Sequence, residues 1–189
     1  MTPMQSSEIS QALEYFGRCR KRVAEATVGL SEAQWRFQPA PDRWSIALIL
    51  EHMVFVQDRV LGPVRELLAV APAPSADRDP QVVDRIVLEK IPDRSMKAKG
   101  PEAVVPRGEL SPAAALERVS RNYERLSEFL ESTPDLRDHL LEAPPLRFLT
   151  GGAHSSMDGY QWALTLAGHD ERHVRQIEEV KADPGYPRS

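Results

Sequence analysis

Four stretches of this chain carry apolar residues at alternating steps of three and four, and that rhythm limits the fold more than any other feature. Ile9, Ala12, Phe16, Cys19, Val23, Ala26 and Leu30 trace it first. A helix turns once every 3.6 residues, so such a set lines one face. The spacing predicts a helix over about Ser6 to Val28. Ile46, Ile49, Met53, Val56 and Val60 repeat the rhythm, with a second stripe through Ala47, Leu50, Val54 and Leu61. Two stripes mean burial on more than one side. This second helix is expected to open near Trp44 or Ser45, capped by Asp42 or Ser45, and to kink at Gly62-Pro63, where proline lacks a donor. Leu116, Val119, Tyr123, Leu126 and Leu130 follow Ser111-Pro112, a cap and a proline suited to the first helical position. Tyr160, Ala163, Leu164, Ala167, Val174 and Ile177 form the fourth set, opening near Ser156 with Asp158 in the first turn and stopped by Asp183-Pro184-Gly185. No alternating strand pattern competes. The expectation is an all-α four-helix bundle, one domain over residues 1–189.

The connections differ in character. Ser31-Glu32-Ala33-Gln34 reads as a capping box that opens a short turn. Residues 71–110 are punctuated by six prolines and read as a long irregular connection, with a short helix from Gln81 to Leu88. Loops of this length are usually functional or mobile. Residues 134–156 form a second loop.

Composition removes several classes of function. A net charge of −4 offers no global basic field for nucleic acid or anionic membrane. No apolar segment approaches a membrane span, and the polar N-terminus lacks a signal-peptide run. The single cysteine, Cys19, excludes an intrachain disulfide and a cysteine zinc site. It lies on the first stripe and reads as a buried structural thiol. A cytoplasmic protein with a small-molecule substrate is expected, with no nucleic-acid or membrane partner.

Against this background the histidines carry the chemistry. His169 and His173 are four apart on the fourth helix and therefore share a face. His52 falls three after Ile49 and four before Val56, so it points inward. Three imidazoles that converge would bind a divalent transition metal, zinc, nickel or iron, and leave a position open for chemistry. The competing readings are a surface histidine pair and a core-edge histidine satisfied by a carbonyl or carboxylate. A metalloprotease helix is disfavoured: Asp170 stands where that motif has glutamate, and no later histidine supplies a third ligand.

Trp44-Ser45-Ile46-Ala47-Leu48-Ile49-Leu50-Glu51-His52 resembles the tryptophan-to-histidine segment of DinB-like proteins. Tyr160-Gln161-Trp162, followed by His169-x-x-x-His173-x-x-Gln176, resembles their last helix. The resemblance covers nearly the whole chain. It implies an up-down-down-up bundle, a metal held by His52, His169 and His173, and frequent homodimers. It also implies either a thiol-dependent S-transferase, in which a low-molecular-weight thiol attacks an electrophile, or a metal-assisted hydrolase. The alternative is a stress-linked binding or dimerisation module whose metal is structural or vestigial. Gln176 and His154 are candidates to orient a ligand or bound water. Glu51 is expected on the surface, His139 likewise, and Arg172 and Arg175 as solvated charges beside the site. Trp44 is expected to plug the start of the second helix, and Trp162 to pack in the core or an interface.

Overall fold

The structure, a computed structural model, describes residues 6–95, 100–133 and 135–188. Four long helices dominate: α1 (Ser6–Thr27), α3 (Ile46–Leu68), α5 (Pro112–Ser132) and α7 (Gly159–Lys181). Shorter elements fill the connections. These are α2 (Glu32–Arg36), α4 (Pro80–Lys90), a single 3-10 turn over Glu102–Val104, and α6 (Pro144–Leu149). The strands β1 (Leu141–Glu142) and β2 (Ser156–Met157) form a minimal antiparallel pair, with Leu141 opposite Met157.

The caps set the boundaries. Ser45 accepts from the Leu48 amide and starts α3 at Ile46. Ser111 caps α5, with Pro112 at the first helical position. Asp158, expected inside the first turn of the last helix, is its N-cap instead and shares a reciprocal box with Gln161. Such a cap satisfies amides that have no partner within the helix. The expected kink at Pro63 does not divide α3, which runs unbroken to Leu68. Leu61, Val64 and Leu68 are buried on both sides of the proline and hold the last turns against the core. The 71–110 connection is more ordered than its prolines suggest. Asp79 caps α4, which is longer than expected at both ends because Val83 and Val87 bury against α7.

Packing gives the arrangement. α7 lies against α1 on one side and α3 on the other, and α5 bridges α3 and α1. Tyr160 bonds to the Glu8 carbonyl, Cys19 to the Ala167 carbonyl and Arg22 to Glu178, so α1 and α7 run parallel. An alternating up-down-up-down order would make them antiparallel. Leu68 approaches Gly159 while His52 meets His169, so α3 runs antiparallel to α7. The core between them contains Phe16, Ile49, Leu50, Met53, Leu130 and Ile177, and Cys19 is buried among them as expected. No helix among the described residues is long and apolar enough to cross a membrane.

Gly159 opens α7 where nothing larger fits. An added Cβ would lie 2.7 Å from both Leu136 Cδ2 and Leu68 Cδ2, and 3.2 Å from the Leu136 carbonyl oxygen. Alanine is the better helix former, yet Gly159→Ala is expected to destabilise the protein by about 1–3 kcal/mol through overpacking. The urea midpoint checks this; a midpoint at or above wild type would show that the two leucines yield freely.

Candidate metal centre

The site forms where α3 and α7 cross in opposite directions. His52 projects from α3 beside Ile49 and Met53, and His169 and His173 project from successive turns of α7. The His52 and His169 Nε2 atoms are 3.2 Å apart, and those of His169 and His173 are 3.1 Å apart. Each residue offers one ring nitrogen, and the three lie within 4.8 Å of one another. His52 is 6% exposed and His173 5%, so water cannot serve all of these nitrogens.

Hydrogen bonds decide which nitrogens carry protons. His52 Nδ1 is 2.6 Å from the Val104 carbonyl oxygen, which can only accept, so Nδ1 donates. His173 Nδ1 lies 2.9 Å from Gln176 Oε1. The Arg94 guanidinium donates to the same oxygen at 3.3 Å, which fixes the orientation of that amide. His173 therefore also donates through Nδ1. In the neutral rings this leaves bare lone pairs on two Nε2 atoms aimed at a third. Burial, reinforced by the neighbouring His169, pushes the His52 imidazole down to about 4 against the opposing bond to Val104. Burial, then His169 and His52, holds His173 well below the usual imidazole range.

Neutral imidazoles with clustered lone pairs are poor company for one another and good ligands for a cation. Two nitrogens bound tetrahedrally at about 2.0–2.1 Å would stand about 3.4 Å apart, close to the separations seen. The donor set therefore fits a divalent transition metal. Trp44 covers one side, its ring 4.8 Å from that of His52 and 6.4 Å from that of His173.

Gln176 contacts a site histidine through its Oε1 atom. His154 does not join the cluster. It lies in the turn between α6 and β2, its backbone tied to the Thr150 side chain. That turn precedes α7, whereas the site lies more than two helical turns further along it. His139 is only partly exposed and bonds to the Ala71 carbonyl. Trp162 packs against the core. The two arginines do more than meet solvent: Arg172 reaches the Asp93 carbonyl, and Arg175 reaches Glu171 and the Pro92 carbonyl.

The largest correction concerns Glu51. Expected on the surface, it is fully buried. Its carboxyl oxygens accept from the amides of Arg107, Gly108, Glu109 and Leu110 at 2.5–2.9 Å. Helix geometry alone turned it away from His52; the loop that folds back over it was not visible in the periodicity. The faint signal was Pro106-Arg107-Gly108, a turn in which Gly108 adopts a positive φ of 77°. Glu51 and His52 therefore anchor one loop from adjacent positions, the first through 107–110 and the second through Val104.

The chain belongs to the DinB superfamily, whose sequence profile matches residues 15–177. Among curated proteins it is similar to the uncharacterized protein YuaE of Bacillus subtilis strain 168. Identity is 23% over 170 residues, covering 89% of this chain and 96% of that protein. Among solved structures it is similar to YfiT from Bacillus subtilis, described as a probable metal-dependent hydrolase with an unusual four-helix bundle topology. The TM-score is 0.63 at 9% identity, over 97% of this chain and 91% of that one. That likeness is one of fold.

Two expectations follow. Because His52 and His173 stay neutral when folded, the unfolded chain gains protons that the folded metal-free protein does not. The contribution of His52 is complete above about pH 6.5 and is lost as pH falls from there toward about 4, and His173 adds a loss in the same direction. Urea midpoints of the metal-free protein should fall across this window, and less steeply in His52→Gln; identical slopes in the two would contradict the assignment. Glu51→Ala should cost about 2–4 kcal/mol and expose the 107–110 amides to hydrogen exchange. Unchanged protection there would remove Glu51 as the loop's anchor.

Proposed function

We propose that this protein is a metal-dependent enzyme that activates a small nucleophile for attack on a small-molecule electrophile. The carrying observation is the convergence of three Nε2 atoms, two of them on rings whose Nδ1 atoms are committed elsewhere. His52, His169 and His173 would hold the ion, and zinc, nickel or iron would suit three neutral imidazoles. Three protein ligands leave room for a further one, the pattern of catalytic rather than structural sites. Such an ion, when bound, supplies Lewis acidity and lowers the pKa of a water or thiol that reaches it.

The chain's own residues prepare that chemistry. Val104 and Gln176 hold the Nδ1 protons, which keeps the Nε2 lone pairs available and fixes the ring planes. Arg94 holds Gln176 and is itself held by two bonds to Glu179. Trp44 shields the His52 ring on one side. The nucleophile is water in a hydrolase, or a low-molecular-weight thiol in an S-transferase. The likeness to YfiT favours hydrolysis, and the wider family resemblance favours the thiol. Both need the same three histidines.

Elemental analysis is the first check. The wild type should carry about one equivalent of transition metal after purification or reconstitution, and His52→Ala, His169→Ala and His173→Ala should each lose most of it. Full metal content in all three variants would reject the site. The loaded protein should then turn over either an activated ester with water or an electrophile with bacillithiol, mycothiol or glutathione. That turnover should drop at least about 100-fold in His173→Ala. A metal-loaded protein inactive across both panels would leave a binding module.

A further inference from the structure

Of the three histidines, His169 alone has no hydrogen bond on Nδ1 among the described residues, and that atom is buried. The next residue, Asp170, is 1% exposed. Its Oδ2 accepts from Gln57 Nε2 at 2.6 Å. Gln57 cannot turn over, because its Oε1 accepts from Asn122 Nδ2 at 3.1 Å, and Asn122 is tied in turn to Asp58 and Arg125. The carboxyl is thus pinned by one oxygen. The other, Oδ1, is buried with no hydrogen bond among the described residues and lies 3.7 Å from His169 Nδ1. An unsatisfied donor and an unsatisfied acceptor therefore face each other across a gap that a shift of about 0.5–1 Å would close.

We propose that Asp170 is a positioning residue for His169: its buried carboxylate accepts a hydrogen bond from Nδ1–H and thereby aims Nε2 at His52 and His173. This rests on the metal-binding reading above. A cation on Nε2 leaves Nδ1 as the protonated nitrogen, and a buried N–H then needs an acceptor. His52 has the Val104 carbonyl for this purpose and His173 has Gln176. Asp170 Oδ1 completes the set from the core side of α7. The Tyr123 hydroxyl lies against the same carboxyl. A carboxylate oxygen accepts more than one bond, so Tyr123 does not displace His169. The chain His169–Asp170–Gln57–Asn122 would tie the site to α3 and α5 through the middle of the bundle.

The test uses the full chain and zinc. Zinc affinity is measured by chelator competition for wild type, Asp170→Asn and Tyr123→Phe, with thermal melts of the metal-free proteins as a check on folding. Asp170→Asn should weaken zinc binding by about 10–100-fold, while Tyr123→Phe, which also disturbs the carboxyl's surroundings, stays near wild type. In zinc-loaded wild type, a long-range proton–nitrogen NMR spectrum should show a slowly exchanging proton on His169 Nδ1. This readout holds even if Asp170→Asn fails to fold. Unchanged affinity in Asp170→Asn, an equal loss in Tyr123→Phe, or no protected proton on Nδ1 would each overturn the proposal. If wild type binds zinc fully and Asp170→Asn does not respond, this inference alone falls. If wild type takes up none of zinc, nickel and iron, the parent reading falls with it.

Discussion

The crossing of α3 and α7 is the contact on which the rest depends. It brings three imidazoles into an apolar seam, and burial there keeps at least His52 and His173 neutral. Burial also makes every ring nitrogen a liability unless something answers it. The surroundings can be understood as answers. A carbonyl from the 101–105 segment accepts a hydrogen bond from one ring, a glutamine one turn along α7 accepts from another, and a carboxylate lies behind the third. What remains is a set of lone pairs turned toward one another, an arrangement that only a cation or a shared proton can relieve.

This also explains why the long connection between α3 and α5 is built as it is. An irregular segment is the cheapest source of backbone groups free of helical bonding. Its Val104 carbonyl serves His52, and its next turn presents four amides to Glu51. Further back, Arg94 clamps Gln176 and Glu179, and the Pro92 and Asp93 carbonyls receive the two arginines of α7. The connection thus meets the site and its flanks at 92–94, at 104 and at 107–110. Its prolines limit helix formation without loosening it.

The opposite end of α7 is held by charge. Asp158 caps the helix and also takes Arg78 and Arg137, and Arg137 reaches Asp84 and Glu8 as well. This cluster joins α1, α4 and α7 near the start of the last helix. Together with the parallel packing of α1 on α7, it sets the height at which His169 and His173 stand opposite His52. A helix free to slide by one turn would carry its histidines about 5.4 Å past their partner.

Periodicity alone determined the four long helices, because a face of apolar residues is a local property of a sequence with a 3.6-residue turn. Caps such as Ser45 and Ser111, and the shared face of His169 and His173, were legible for the same reason. The DinB resemblance added the order of the helices. The tertiary structure alone decided that Glu51 is buried, that Asp170 backs His169, and that Arg94 and Val104 serve the site while His154 does not. Each of those facts depends on where a distant loop or helix lies, and the rhythm of one segment holds no information about the carbonyls and amides another segment brings to it.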